Sequence, residues 1–528
     1  MDIQCAPAAF SIRLSEKRET ENETEYMLPE YLPNIRSLIK TDARLKITDK
    51  TVSESGVGIT GTVIYSVLYR SDHGGALKCA VFTDDFNIGF DFPENVEPAL
   101  VREHVLCFPC IGHVNAKMQS QRRIAAKCRF SVTCEVLETS LSDPVADEQN
   151  DASESTHCTL QLQKKNLQSG RIHFSEEYRH TFSEELSLEE GMPEISEVLC
   201  ADARICIKES KIDDIKAEIS GELLFSCLYE AKNDEESEYI CFTKEIPFRA
   251  EPDFDFPCDG QKVTAKGELV SLTVEPVSDA YGEHSKLSVG GEIRLSMLGF
   301  DNQSISIVTD LYSTECETVP QKKAIRNLSF IDIYTGALYS EEALRTELHG
   351  IADLISSSVS LCFGNPEFLD GKVFLPANGN LSLLGIKENG DVESIKIPLH
   401  LKIASHDIPY SLSPDKIKWF NFTGLCSHEC EIAGGELHLK LWVKENIGAF
   451  RDETITLICG YEEKAADNTV GTSAGGSASL CGFTLYFPDE GESVWDVSKA
   501  HAVSVEKVRA ENNLTSDLFD GKKIILLH

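Results

Sequence analysis

Gly61-Thr62-Val63-Ile64-Tyr65-Ser66-Val67-Leu68-Tyr69 sets Val63, Tyr65, Val67 and Tyr69 on one side of an alternating pattern, and Gly221-Glu222-Leu223-Leu224-Phe225-Ser226-Cys227-Leu228-Tyr229 repeats it 160 residues later. A period of two is the signature of a β-strand with one buried face. The match extends outward without a gap, which marks a duplicated β unit. Upstream, Asp42-Ala43-Arg44 and Ile47 fall on Asp202-Ala203-Arg204 and Ile207, and Pro33 and Ile35 on Pro193 and Ile195; downstream, Phe82-Thr83 falls on Phe242-Thr243. Polar, glycine-containing runs such as Ser71-Asp72-His73-Gly74-Gly75 separate the strands, as antiparallel hairpins require.

A third, weaker echo lies further along the chain. Ile351-Ala352-Asp353-Leu354-Ile355 precedes alternating Val359, Leu361 and Phe363, Gly379 opens Leu381 and Leu383, and Ile397-Pro398-Leu399 echoes Ile246-Pro247-Phe248. Residues 140–157 are acidic, Ser-rich and poor in large apolar groups, and 469–479 are Gly/Ser-rich, so both read as linkers. The expected division is a β module over 1–157, a second over 158–330, a degraded third over 331–467, a tether over 468–482, and a small domain over 483–528 that the tether leaves free to move independently. The expected fold class is mainly β, tandem antiparallel modules followed by a small βααβ domain.

Composition limits the partners. With 86 acidic and 50 basic side chains the formal net charge is −36, which repels phosphate backbones and anionic lipid. Nucleic acid is therefore excluded as the expected partner. The N-terminal residues lack a basic region followed by an apolar run, and no stretch has the length and hydropathy of a membrane span, so a non-exported protein without membrane insertion is expected. In that setting the 18 irregularly spaced cysteines read as reduced thiols packed as small hydrophobes.

The last 46 residues have their own grammar. Phe483-Thr484-Leu485-Tyr486-Phe487 reads as a strand, Ser493-Val494-Trp495-Asp496 as a capped helix start, Ser504 as the cap of a second helix ending at Asn512-Asn513, and Lys523-Ile524-Ile525-Leu526-Leu527 as a closing strand. Gly491-Glu492-Ser493-Val494-Trp495-Asp496-Val497, Val503-Ser504, Asn512-Asn513-Leu514 and Gly521-Lys522-Lys523-Ile524 together resemble a LysM domain. Asp489-Glu490 departs from that family's simple Pro-Gly turn, and Glu492 replaces its usual Asp. The resemblance implies a groove for N-acetylglucosamine polymers formed by Gly491, Glu492, Ser493, Asn513, Leu514, Thr515 and Ser516. The same side chains also have structural employment to consider: Ser493 and Asp496 in a helix cap, Trp495 and Leu514 in a small core, Asn513 in a helix stop.

The block Leu28-Pro29-x-Tyr31-Leu32-Pro33-x-Ile35-x-x-Leu38-Ile39-Lys40-x-Asp42-Ala43, with Gly61-x-x-x-Tyr65-Ser66-x-Leu68-Tyr69, resembles the SPOCS module of clostridial SipL-type spore proteins, in which such modules precede a LysM domain. That resemblance implies a mother-cell cytoplasmic scaffold that helps the coat encase the forespore and docks the coat morphogenetic ATPase SpoIVA. The other reading is a cell-wall protein that holds peptidoglycan.

Catalytic chemistry finds little footing. Gly56-Val57-Gly58-Ile59-Thr60-Gly61 fits a dinucleotide fingerprint but runs into a strand instead of a helix. Cys107 with Cys110, and Cys426 with His428 and Cys430, have ligand-like spacing without a second pair, so neither metal nor cofactor is expected. Acid pairs such as Asp213-Asp214 and Glu235-Glu236 are common by chance in so acidic a chain. No enzymatic activity is expected.

Overall fold

The computed structural model describes residues 10–93, 101–140, 160–463 and 484–527, apart from 176, 214–215, 233–237, 254–261, 279–281, 346–349, 413 and 522–524. The expected linkers, apart from Ser140 at the start of the first, together with Phe483, Lys523, Ile524, Asp214 and the pair Glu235-Glu236, lie outside those residues. The described chain is mainly β with antiparallel sheets.

The first six strands are β1 (Phe10–Met27), β2 (Ile35–Val52), β3 (Gly56–Ser71), β4 (Leu77–Asp91), β5 (Val101–Ser120) and β6 (Arg123–Ser140). They form two sheets, ordered β1-β6-β5 and β2-β3-β4. Alternation works as expected on β3: Ile59, Val63 and Tyr65 are buried and meet Ala126, Cys128 and Phe130 of β6 in one core. The plan recurs. After β7 (Leu160–Phe174), strands β8 (Tyr178–Ser187), β9 (Ile195–Asp213), β10 (Lys216–Ala231), β11 (Glu238–Ala250), β12 (Val263–Val277) and β13 (Lys286–Ser313) give sheets β8-β13-β12 and β9-β10-β11 around Leu223, Phe225, Val289 and Leu295.

A third set shows the same order. It comprises β14 (Thr318–Leu344), β15 (Ile351–Phe363), β16 (Glu367–Leu369), β17 (Lys372–Lys387), β18 (Val392–Ser405), β19 (Ile417–Asn421), β20 (Gly424–Ala433) and β21 (Glu436–Glu463). β21 lies between β14 and β20, and β17 between β15 and β18, with β16 and β19 as short additions. Opposite Gly61, Gly221 and Gly379 stand Phe86, Phe248 and Leu399. A Cβ on Gly61 would come within 2.4 Å of the Phe86 ring, and one on Gly221 within 2.8 Å of Phe248. Those glycines are kept free of side chain by close approach of an aromatic ring.

That register corrects the gapless match downstream. The β3–β4 hairpin closes on Arg70 and Leu77, whereas β10–β11 closes on Ala231 and Glu238. β11 therefore runs two residues ahead of the 160-residue offset, and Phe82 and Phe242, paired by sequence, occupy different ladder positions, opposite Tyr65 and Cys227.

The three units join in a cycle, with β4 against β9, β11 against β15 and β18 against β2. Leu68, Leu228 and Ile386, each seven residues after the matching glycine, converge in one apolar cluster. A second cluster gathers Leu137, Phe300, Leu328, Phe330, Phe420 and Phe450 from all three units. Cys110 of the first unit is disulfide-bonded to Cys362 of the third, and Cys206 of the second to Cys426 of the third. This corrects the expectation of reduced thiols throughout: cysteines scattered in sequence meet across unit boundaries that spacing does not disclose.

The outer strands overrun their sandwiches. β13 pairs β8 and β12 along its first half and β7 along Leu298–Ser313, and β21 pairs β14 along their whole lengths. The C-terminal module comprises β22 (Thr484–Tyr486), β23 (Glu490–Ser493), α1 (Val494–Ala500), α2 (Val505–Asn512), β24 (Leu518–Asp520) and β25 (Ile525–Leu527). β22 pairs β25 and β23 pairs β24, around Val494, Val497, Val508, Phe519, Ile525 and Leu527. The second strand pair was not legible in the sequence.

Candidate functional site

The C-terminal module places the expected groove residues at two adjacent loops. The Ser493 hydroxyl accepts the Asp496 amide at 3.0 Å and caps α1. Ser504 occupies the same place before α2 but makes no side-chain cap bond, so its expected capping role is corrected. Asn513 ends α2 in the left-handed region at φ +50°, a conformation Asn tolerates, while the Leu514 amide donates to the Arg509 carbonyl. Glu492 is held by Tyr486 Oη at 2.9 Å and the Asp489 amide at 3.1 Å. The Val494 amide reaches the Asp517 carbonyl at 2.9 Å, which fixes Gly491, Glu492 and Ser493 beside the loop carrying Asn513, Leu514, Thr515 and Ser516.

Within this set the employment differs. Leu514 packs on the module core and Ser516 Oγ accepts the Leu518 amide, whereas Gly491, Asn513 and Thr515 are exposed. Leu518, opposite Ser493 in the β23–β24 pair, is more than half exposed, as are Leu485 and Phe487 elsewhere in the module.

Trp495 belongs to neither the groove nor the module core. Its ring stacks edge-on against Tyr312 of β13 at 5.0 Å, and its Nε1 donates to Asp310 at 2.8 Å. Lys499 Nζ donates to the same carboxylate at 2.5 and 2.6 Å, and Tyr312 Oη donates to the Val503 carbonyl at 2.6 Å. Burial raises the Asp310 carboxyl, but the Lys499 and Trp495 hydrogen bonds and the Lys499 charge together outweigh it and hold it below its ordinary value. The module is thus seated on the body, which corrects the expectation of independent movement. None of the seven groove residues takes part in that seat.

The remaining candidates resolve differently. Gly56–Gly61 lies inside β3, continuous with the rest of that strand. Cys110 and Cys426 are committed to disulfides, and Cys107 lies opposite Cys134 in the β5–β6 ladder. Among the described residues no group of three or more His, Cys, Asp or Glu side chains is placed to hold a metal ion. No helix is long and apolar enough to cross a membrane, among those residues.

Repeated β-sandwich units locked into one body, with a small α/β module seated on an overrunning strand, define a protein built around surfaces and junctions. Within it, residues 194–277, from the start of β9 to the end of β12, match the family model SipL, SPOCS domain, so the chain is SipL-like and carries a domain of a spore-related protein family. No curated protein and no solved structure matches the chain.

Proposed function

We propose that this chain is a non-enzymatic scaffold of spore coat assembly that docks a coat morphogenetic ATPase of the SpoIVA type through the two loops of its LysM-like C-terminal module. The SPOCS match carries the reading. The seat on Asp310 and Tyr312 supports it, because it fixes the module by α1 and the turn after it and leaves Gly491, Asn513 and Thr515 exposed. A rigidly held loop pair loses less entropy on docking than a tethered one. The work belongs to the mother-cell side of the forespore surface, where a LysM-like module meets protein and not wall glycan.

The test is capture of the purified ATPase by the full chain, set beside retention on insoluble peptidoglycan. Asn513→Gly, which keeps the left-handed backbone, and Thr515→Arg are the variants. ATPase capture lost in both is the expected result. Retention on peptidoglycan without ATPase capture replaces this reading with wall binding.

A further inference from the structure

Where the three units meet, a cavity of about 570 Å³ opens between β2 and β5 of the first, β12 and β13 of the second and β15, β17 and β19 of the third. Its basic lining residues are Lys17, Arg44, Lys46, Lys266 and Arg294, and its acidic one is Glu268. In a chain with 86 acidic and 50 basic side chains, a wall of that sign is not a sample of the rest. The neighbouring cavity between the second and third units, of about 950 Å³, sets Arg204 and Lys244 against Glu189, Asp202, Glu245 and Glu429. That neighbouring cavity does not share the basic excess.

The cations there are unequally satisfied. Lys266 Nζ donates to Glu268 at 2.7 Å and to the Cys107 carbonyl at 2.7 Å. The buried Arg294 Nε makes no hydrogen bond among the described residues; it forms a long ion pair with Glu177 at 3.6 Å, and its charge also acts on Glu268. Arg44 and Lys46, both partly buried, have no ion pair within 4.0 Å among those residues, although the Arg44 charge acts on the buried Asp202 carboxyl from further away. Withdrawing cations from water beside too few carboxylates is unfavourable, and an anion between them offsets that cost. Arg44 and Arg294 present forks suited to two-oxygen groups, while Leu45, Phe108, Leu361 and Phe363 supply an apolar wall.

We propose that this junction cavity binds a small organic oxyanion, bearing carboxylate or phosphate groups, which bridges the first and second units through Arg44, Lys46 and Arg294. The site is independent of the partner-docking loops. A volume of this size is ordinary for small-ligand sites.

Calorimetric titration of the full chain with citrate and with pyrophosphate, at constant ionic strength set by NaCl, separates the two sources of the anion. Saturable binding is expected with at least one. Arg44→Gln and Lys46→Gln should each weaken it by about tenfold or more, and Lys117→Gln, on the exposed side of β5, should leave it unchanged. Lys46→Gln carries the test alone if Arg44→Gln fails to fold. Absence of saturable binding by either anion, equal weakening by Lys117→Gln, or binding of a glutamate-rich peptide in place of both, overturns the proposal.

Discussion

Gly336 lies opposite Glu445 in the β14–β21 ladder, and a Cβ there would collide with Asp407 Oδ2 at 2.0 Å, so a glycine makes room for two carboxyl groups. Burial, with the Asp407 charge adding to it, pushes Glu445 up to about 7 against the opposing effect of Ser405. A raised carboxyl favours the folded state while protonated, so that contribution is complete below the ordinary glutamate value near 4.5 and disappears as pH rises through about 7. Glu445→Gln should remove this decline and stabilise the chain at pH 9 by on the order of 2 kcal/mol, read as a shift in denaturation midpoint. His428 has the opposite sign. Burial and the Arg204 charge hold it down to about 4 while its ring nitrogen lies 3.2 Å from the Ser357 carbonyl. Stability is lost as pH falls from about 6.5 towards 4. His428→Gln should flatten the acid side alone.

At the scale of elements, the alternating strands were legible because a period of two needs only local sequence, and the fixed offset exposed the duplication. The two-residue slip of β11 was not, since a hairpin that closes one pair later leaves the upstream match untouched. Overrun of β13 was hidden for a related reason: alternation says that a strand has a buried face, not which partners cover it. Gly221→Ala places a Cβ 2.4 Å from the Cys206 carbonyl and should destabilise by about 2–4 kcal/mol, whereas Gly89→Ala, with nothing within 4 Å of its added Cβ, should be near neutral. Paired denaturant titrations decide this. In the C-terminal module the motif spacing put Gly491, Glu492 and Ser493 and the run Asn513 to Ser516 on two loops that the structure sets side by side, but the seating of Trp495 on the body was not legible, because a helix start motif carries no record of what lies beyond the module. Trp495→Ala and Asp310→Ala should each release the seat, weakening it by about 1–3 kcal/mol, visible as faster hydrogen exchange in α1 and a larger scattering radius.

For the whole molecule, association of the three units rests on apolar clusters at two junctions, buried polar links such as Asn446 Nδ2 to Thr264 Oγ1 at 2.5 Å, and the two disulfides. The bridges close sequence separations of 252 and 220 residues, so chain entropy gives each a stabilising contribution of roughly 5 kcal/mol when formed. A reducing compartment would open both. Dithiothreitol should lower the melting temperature of the full chain, and a Cys110→Ser/Cys426→Ser variant should melt at the reduced temperature whether or not reductant is present. Equal melting of oxidised and reduced wild-type chain would remove the bridges from the account of stability.

The shared strand β13 also sets the mechanics of the particle. Its near half is the middle strand of the second sandwich, and its far half holds Asp310 and Tyr312, the seat of the C-terminal module. A load on that module enters the body at Asp310 and Tyr312, and any component of it along β13 runs at right angles to the ladder hydrogen bonds. Bonds loaded that way resist together in shear instead of opening one after another. The seat should therefore let go before the sandwich does, so that overload frees the module while leaving the body folded.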